Sequence, residues 1–362
     1  MAVTSFGPTR VASRRFVLAL GVVALGVTGV VRASDAPSEG GKATLPAERV
    51  ASQPFLANYA RPASTPFPED NAFSPEREAL GRALFFDPRL SGSGWISCAS
   101  CHNPGFSWGD GLPRAIGHGM KTLGRRTPTI LNLAWGQAFF WDGRADTLEA
   151  QALGPIQAAG EMNLDLQTMI ARIGGLDSYK ALFAKAYPGE PVAPETVAKA
   201  IATFERGVVS PEAPFDRWLA GDEAAIGADA KRGFVVFNTK AACAKCHSGW
   251  RFTDDSFHDI GVAGEDVGRG ALLKEIPALQ HAFKTPTLRD ADRRGPYMHD
   301  GSIATLEAVV DFYDRGGVAA RESLSSDLKP LALTADEKRQ LLAFMRTLTS
   351  PGHAVQVPAL PR

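Results

Sequence analysis

The stretches Cys98-Ala-Ser-Cys101-His102 and Cys243-Ala-Lys-Cys246-His247 hold all four cysteines of this 362-residue chain. Each is a C-x-x-C-H motif, whose two thiols can bond to the vinyl groups of one haem while the histidine coordinates the iron. Zinc ribbons pair such motifs about 15–20 residues apart, whereas 145 residues separate Cys98 from Cys243. The pattern predicts two covalent haem c groups, with a zinc site or a redox dithiol as the alternatives. The predicted attachment residues are Cys98, Cys101, Cys243 and Cys246, and the predicted iron ligands are His102 and His247.

The N-terminus has the features of an export signal. Arg10, Arg14 and Arg15 precede an apolar run over residues 16–31, which is short for a membrane span, and Ala33 supplies a small residue for cleavage. Residues 1–33 are therefore predicted to be a signal peptide, with an uncleaved anchor as the alternative. Because c-type haem is attached after export, we expect a periplasmic protein.

Charge and composition set the outline of the rest. The chain has 39 Lys and Arg and 39 Asp and Glu, which gives no indication of a nucleic-acid-binding surface. Residues 34–66 are rich in small residues and proline, so a flexible leader is expected, with the packed protein starting near Phe67. We expect a first haem domain over 67–225, a second over 226–350 and a tail over 351–362.

The apolar periodicity is helical. Ser74-Pro75-Glu76 is a typical helix start, with a cap, a first-turn proline and an early acid. Further helices are predicted over residues 164–173, 179–186, 195–206, 228–237, 305–313 and 334–348. Strand-like alternation is scarce. The sequence predicts a mostly α protein with two cytochrome-c-like haem domains and long irregular loops.

Several separated motifs carry a family resemblance. They are Leu80-Gly-Arg-Ala-Leu-Phe-Phe-Asp-Pro-Arg-Leu90, Phe140-Trp-Asp-Gly-Arg-Ala145, Thr285-Pro-Thr-Leu-Arg289 and Gly295-Pro-Tyr-Met-His-Asp-Gly301. From about residue 74 to 348 the chain resembles the bacterial dihaem cytochrome c peroxidase and MauG superfamily. The resemblance implies an oxidoreductase that uses peroxide as acceptor, with His102 at the peroxidatic haem and His247 at the electron-transfer haem.

The resemblance also implies roles around the first haem. Trp141, 39 residues after His102, matches the tryptophan between the two haems, although core packing would also explain it. Gln151, Pro155 and Glu161 match the distal pocket, where Glu161 would be the general acid/base. The alternative for Gln151 and Glu161 is an ordinary surface loop.

His118 lies between two glycines, 16 residues after His102. A histidine at this place is a displaceable sixth ligand in the peroxidase branch of the superfamily, and flanking glycines would suit a moving loop. An exposed loop histidine, or Met120 as the ligand, are the alternatives.

The sixth ligand of the second haem separates the two branches. The peroxidase branch has a methionine 14 residues after the histidine of its Pro-Tyr-Met-His-Asp-Gly motif, and here that position is Tyr313. MauG-like proteins have a tyrosine there, and a phenolate favours the higher oxidation states of iron. Met298 is the competing ligand, and a core tyrosine is the alternative role for Tyr313.

The resemblance further implies a calcium ion between the haems. The side-chain ligand position, an asparagine in the family, is Arg126 here. Arg294 and Pro296 are the candidate calcium carbonyls, since calcium prefers oxygen donors.

The expected activity is reduction of hydrogen peroxide to water, with electrons from a small redox protein such as a cytochrome c or a cupredoxin. A MauG-like oxidase, which uses peroxide to oxidise residues of a partner protein, is the first alternative. A non-catalytic dihaem electron carrier is the second. No nucleic-acid partner is expected, and a homodimer is predicted from the family.

Overall fold

The computed structural model describes residues 54–352 and 355–362, so the predicted signal peptide lies outside the described residues. Within that part of the chain the structure is mostly helical, and no helix is long and apolar enough to cross a bilayer. The α-helices are α1 (Pro75–Phe85), α2 (Cys98–Cys101), α3 (Leu148–Gln157), α4 (Leu166–Gly174), α5 (Asp177–Ala186), α6 (Pro194–Gly207), α7 (Pro214–Leu219), α8 (Ala228–Asn238), α9 (Leu306–Asp314) and α10 (Ala335–Arg346). Two short strands, β1 (Phe257–His258) and β2 (Phe283–Lys284), pair antiparallel.

Each helix predicted from the sequence is present, with ends that differ by about two residues. Helix α3 was not predicted, because Pro155 lies inside it and an internal proline usually indicates a break. Thr147 caps this helix by accepting a hydrogen bond from the Ala150 N–H at 3.0 Å. Pro155 falls in the last turn, where it removes only the bond to the Gln151 carbonyl, so the helix continues to Gln157.

Two helix crossings have the same construction. Helix α1 packs against α6, and a Cβ added to Gly81 would lie 1.9 Å from the Ala200 carbonyl oxygen. Helix α8 packs against α10, and a Cβ on Gly233 would lie 1.9 Å from the Gln340 carbonyl oxygen. Both helix pairs therefore approach so closely that only glycine fits at the crossing.

The hydrophobic side chains form two principal clusters, and each haem motif borders its own. Cys98 packs against a first core built on α1, α5 and α6. Cys243 packs against a second core built on α7, α8 and α10. Helix α7 thus belongs to the second core, although the expected domain boundary lies after residue 225.

The packed part of the described chain includes residues before Phe67. Leu56 and Tyr59 are buried in the second core, and the Tyr59 ring lies 5.0 Å from that of Phe252. We expected a flexible leader over residues 34–66 and a packed protein from about Phe67. For residues 54–66 this expectation was wrong. The segment is rich in small residues and proline, but the buried side chains of Leu56 and Tyr59 anchor it.

Two seven-residue loops, 139–145 and 297–303, repeat one local structure. Each is closed by an antiparallel bridge between its first and last residues. Both have positive φ at the second and fifth positions, 67° and 67° in the first loop and 71° and 67° in the second. Each leads through a threonine cap, Thr147 or Thr305, into α3 or α9.

Corresponding positions in this repeat lie 158 residues apart. Trp141 therefore corresponds to His299 in the second half. Pro155 near the end of α3 corresponds to Tyr313 near the end of α9. The two halves thus share one backbone arrangement but have different side chains at equivalent positions.

Candidate active site

Both C-x-x-C-H motifs line one continuous cavity of about 780 Å³. This volume is in the upper part of the range of about 300–1,000 Å³ for ligand sites. The sequence-predicted site residues that line it are Cys98, Cys101, His102, Trp141, Gln151, Pro155, Glu161, Cys243, Cys246, His247, Arg294, Met298 and Tyr313. The cavity walls are mainly apolar, as a large flat porphyrin requires.

The two motif histidines are oriented by the same kind of backbone contact. His102 Nδ1 lies 3.3 Å from the Trp108 carbonyl oxygen, and His247 Nδ1 lies 2.9 Å from that of Phe252. A ring whose Nδ1–H donates to a carbonyl keeps Nε2 available for a metal. Burial lowers the pKa of both imidazoles, which favours the neutral form that binds iron.

The four cysteines are free thiols, partly buried at the cavity wall. Burial raises the pKa of Cys101 to about 11 and that of Cys243 to about 12. It also raises the pKa of Cys98. These are protonated thiols beside the two oriented histidines, so the donor set of each motif fits one covalently attached haem.

Trp141 is buried and lines the cavity that both motifs share. Its Nε1–H donates to the Arg126 carbonyl oxygen at 2.8 Å, which fixes the ring orientation. The Trp141 and His299 rings are 6.5 Å apart, and His299 stacks on Phe283 at 3.6 Å. His299 is noted in the sequence only as the histidine of the Pro-Tyr-Met-His-Asp-Gly motif, and Phe283 is not noted, because only the fold brings these aromatic rings beside Trp141.

The predicted distal residues come together on one side of the cavity. Gln151 and Pro155 lie one turn apart on α3, and Glu161 follows in the next loop. Burial raises the pKa of Glu161, and the positive charge of Arg144 opposes this shift. Arg144 itself lies over the Phe140 ring, 3.5 Å from its centroid. A carboxyl with a raised pKa inside a cavity is suited to carrying a proton.

His118 is not among the described residues that line the cavity. Its backbone N–H donates to the carbonyl oxygens of Glu161 at 2.8 Å and Gly160 at 3.1 Å, so its loop is docked against the Glu161 segment. Its Nδ1 is buried and has no hydrogen-bond partner within the described chain. Met120, the alternative, is 65% exposed. The ligand role of His118 stays a prediction, because this conformation holds the loop beside the distal pocket.

Tyr313 and Met298 both line the cavity. Burial raises the pKa of the Tyr313 hydroxyl, and the neighbouring Cys243 and Cys246 sulfurs raise it further. The phenol thus faces the second attachment site from α9.

A histidine missed in the sequence lies beside the second motif. Cys246, Asp254 and His258 each place one potential ligand atom within 4.8 Å of the others. His258 Nε2 is 2.8 Å from Asp254 Oδ2, a contact that, with Cys246, raises the pKa of His258 to about 10. Since Cys246 is an attachment thiol, we assign this group to the haem site rather than to a separate metal.

Glu205 on α6 is a second residue that the sequence analysis missed. It is 3% exposed, lines the cavity, and its Oε2 has no hydrogen-bond partner in the described part of the chain. Burial raises its pKa to about 8. The spacing of Ala198, Ile201 and Ala202 before it places Glu205 on the apolar face of the helix, and that signal could have revealed it.

The residues at the predicted calcium position do not fit a calcium ion. Arg126 stands where a side-chain oxygen would be needed, and its guanidinium Nη2 donates to the Arg294 carbonyl oxygen, one of the two candidate calcium ligands. A carbonyl that already accepts from a buried cation is not free to bind calcium.

Two sequence comparisons bear on this site. A family model described as di-haem cytochrome c peroxidase matches residues 75–224. The methylamine utilization protein MauG of Methylorubrum extorquens is 56% identical over 308 residues, covering 84% of this chain and 87% of that protein. The chain belongs to the dihaem cytochrome c peroxidase and MauG family. Membership confirms the resemblance inferred from the motifs.

More distant relatives include both branches of the family. Cytochrome c551 peroxidase of Pseudomonas aeruginosa is 33% identical over 299 residues, covering 80% of this chain and 83% of that protein. The crystal structure of a MauG-like protein associated with microbial copper homeostasis matches with a TM-score of 0.74 at 33% identity, covering 80% of this chain and 95% of that one. The chain is thus an oxidoreductase acting on peroxide, and membership of this family implies two haem c groups.

Proposed function

We propose that this protein is a periplasmic MauG-like dihaem oxidase, which uses hydrogen peroxide to oxidise residues of a partner protein. The observation that carries the proposal is Tyr313, which lines the cavity at the second motif in the place where the peroxidase branch has a methionine. The 56% identity to a MauG protein supports the same branch. The comparisons thus favour the MauG-like alternative over the peroxidase that the sequence suggested first.

The internal repeat supports different roles for the two haem sites. Pro155 has no side-chain donor atom, so it would not coordinate a haem held by the first motif. Tyr313 offers a phenolic oxygen at the equivalent point of the second site. We infer that peroxide reacts on the His102 side, while the His247 side holds a hard anionic ligand that stabilises oxidised iron.

When bound, the haem irons would supply the redox chemistry. The chain supplies the proton handling. Reduction of one hydrogen peroxide to two waters takes up two protons and two electrons. Glu161 would take a proton from one peroxide oxygen and give it to the other, while Gln151 would hold the peroxide by hydrogen bonds. The electrons would come from the partner residues, relayed through Trp141.

We also propose that the two cores correspond to two cytochrome-c-like domains. The matching crossings at Gly81 and Gly233, and the repeated loops that follow each motif, support this division. The first core ends at Val208 and the second resumes at Phe215, so a boundary between them fits better than one at residue 225. Homodimerisation stays a prediction, which light scattering of the holoprotein would test.

A peroxidase with a small redox donor is the second candidate, favoured by the 33% identity to a cytochrome c551 peroxidase. An electron carrier is disfavoured by the distal group of Gln151, Pro155 and Glu161.

Steady-state peroxide consumption by the holoprotein separates the first two functions. Reduced cytochrome c and a reduced cupredoxin would be offered as sole donors. We expect slow turnover with both, and faster turnover after Tyr313→Met restores the peroxidase-type residue. Rapid, saturable turnover of the unmodified protein with either donor would establish the peroxidase instead.

A further inference from the structure

Arg126 lies at the centre of the contacts between the two halves. Its backbone N–H donates to the His299 carbonyl oxygen at 2.7 Å, and its carbonyl oxygen accepts from Trp141 Nε1 at 2.8 Å. Its guanidinium donates to the Arg294 carbonyl oxygen. One residue therefore joins the relay tryptophan of the first half to the 294–299 segment of the second.

The side chain of Arg126 is a buried cation without an ion-pair partner in the described residues. It is 6% exposed, and its Nε has no hydrogen-bond partner there. Asp110 acts on it electrostatically, but the oxygens of Asp110 accept from Thr127 Oγ1 at 2.6 Å and the Leu112 N–H at 3.0 Å. An arginine held this way acts on carbonyl dipoles, as a metal ion does.

A second buried arginine adds to the positive charge. Arg294 is also 6% exposed, and its Nη2 donates to the carbonyl oxygens of Thr287 and Arg289, each at 2.7 Å. The acid that offsets it, Asp290, accepts from the backbone and the hydroxyl of Ser350, each at 2.8 Å. The two arginines and the two aspartates balance, so a divalent ion added here would bring two uncompensated charges into a buried region.

We propose that the Arg126 guanidinium is a built-in replacement for the inter-haem calcium ion of this family, so that this protein holds Trp141 and the 294–299 segment together without calcium. Arg126 is in this account a positioning residue, since it acts on the relay through Trp141. The proposal goes beyond the proposed function and does not depend on which donor or partner protein is oxidised.

Calcium titration of the holoprotein tests this directly. After EGTA treatment, calorimetry with calcium chloride should give no binding to the unmodified protein, and the midpoint potentials of the two haems should be the same with EGTA and with calcium. Arg126→Asn removes the cation and supplies an amide oxygen. We expect it to bind one calcium per chain, with a Kd below about 1 mM, the weak end for extracellular calcium modules.

Three further variants control for side effects. Arg126→Ala removes the cation and supplies no ligand, so it should change the haem potentials whether or not calcium is present. Arg126→Lys keeps a cation and should bind no calcium. Arg339→Asn, at an exposed arginine paired with Asp336, should behave like the unmodified protein.

Stoichiometric calcium binding by the unmodified protein, or a shift of its haem potentials on adding EGTA, would overturn the proposal. A folded Arg126→Asn protein that binds no calcium would overturn it as well. If that variant does not fold, the titration of the unmodified protein still decides. The calcium and potential measurements are independent of the peroxide assay, so failure of the proposed function would be distinguishable from failure of this proposal.

Discussion

Glu161 and Glu205 are two carboxyl groups in the same cavity with different surroundings. Both have their pKa raised by burial. Arg144 opposes the shift at Glu161, whereas the Oε2 of Glu205 has no hydrogen-bond partner in the described chain. The first therefore suits reversible proton transfer, and the second is a neutral group at neutral pH.

Glu161→Gln should lower peroxide-dependent turnover by about 100-fold or more, because general acid/base catalysis contributes about 10²–10⁴-fold. The amide keeps the size of the side chain, so both haem spectra should be unchanged. The measurement is peroxide consumption under saturating donor. Glu195→Gln, at an exposed position in the first turn of α6, is the matched control. Unaltered turnover in Glu161→Gln would rule out the acid/base role.

Glu205 should make the protein less stable as the pH rises. Its pKa is about 8 in the folded state against an ordinary value of 4.5, so between these values the folded protein keeps a proton that the unfolded chain releases. The free energy of unfolding then falls by up to about 1.4 kcal/mol per pH unit over that window. It is unaffected by this group below pH 4.5.

Glu205→Gln should remove that pH dependence. Urea unfolding of the holoprotein at pH 5 and pH 8 would show a smaller difference in the variant than in the unmodified protein. Equal differences in the two proteins would mean that Glu205 is not buried as a neutral acid.

At the level of secondary structure elements, the crossings of α1 with α6 and of α8 with α10 depend on glycine. Gly81→Ala or Gly233→Ala would place a methyl group 1.9 Å from a backbone carbonyl oxygen. Since a backbone atom cannot rotate away, each variant should lose about 1–3 kcal/mol or more of unfolding free energy.

Gly207→Ala, at the end of α6, is the matched control, because an added Cβ there meets no atom within 4 Å. It should be neutral or stabilising. Urea unfolding of the three variants would test the comparison, and equal stability of all three would contradict the close crossings.

The sequence was sufficient for elements whose signals are local. Helix α10 was predicted from the capping box at Thr334 and Glu337. Helix α1 was predicted from the Ser74 cap followed by Pro75. Helix α3 was not predicted, because Pro155 interrupts the local helical pattern. The proline lies in the last turn, so the helix stays intact. Helix propensity alone cannot distinguish a proline that ends a helix from one that lies in its last turn.

The site could be predicted only where spacing carries chemistry. The two C-x-x-C-H motifs and the predicted distal residues line one cavity, and their roles there stay predictions. The Arg126 contact and the stacking of Phe283 on His299 depend on contacts between distant segments. Such contacts exist only after the two halves have packed, so no local pattern indicates them.

On the scale of the whole molecule, the same arrangement of a bridged loop, a threonine cap and a helix occurs twice. The two copies differ in a few side chains. The loops at 139–145 and 297–303 match in their bridges and dihedral angles. They present tryptophan in one half and histidine in the other, and α3 and α9 then present Pro155 and Tyr313. We therefore expect two haem sites in one cavity that differ in the side chains beside each haem.

The most direct test is redox and absorption spectroscopy of Tyr313→Met in the holoprotein. Methionine ligation raises the potential of haem iron, so we predict a higher midpoint potential and an altered spectrum for the second haem, with the first haem unchanged. Tyr297→Phe, at another cavity tyrosine whose hydroxyl donates to the Ala291 carbonyl at 3.0 Å, is the control and should leave the spectrum of the second haem as it is. A second haem whose spectrum and potential do not respond to Tyr313→Met would contradict the account.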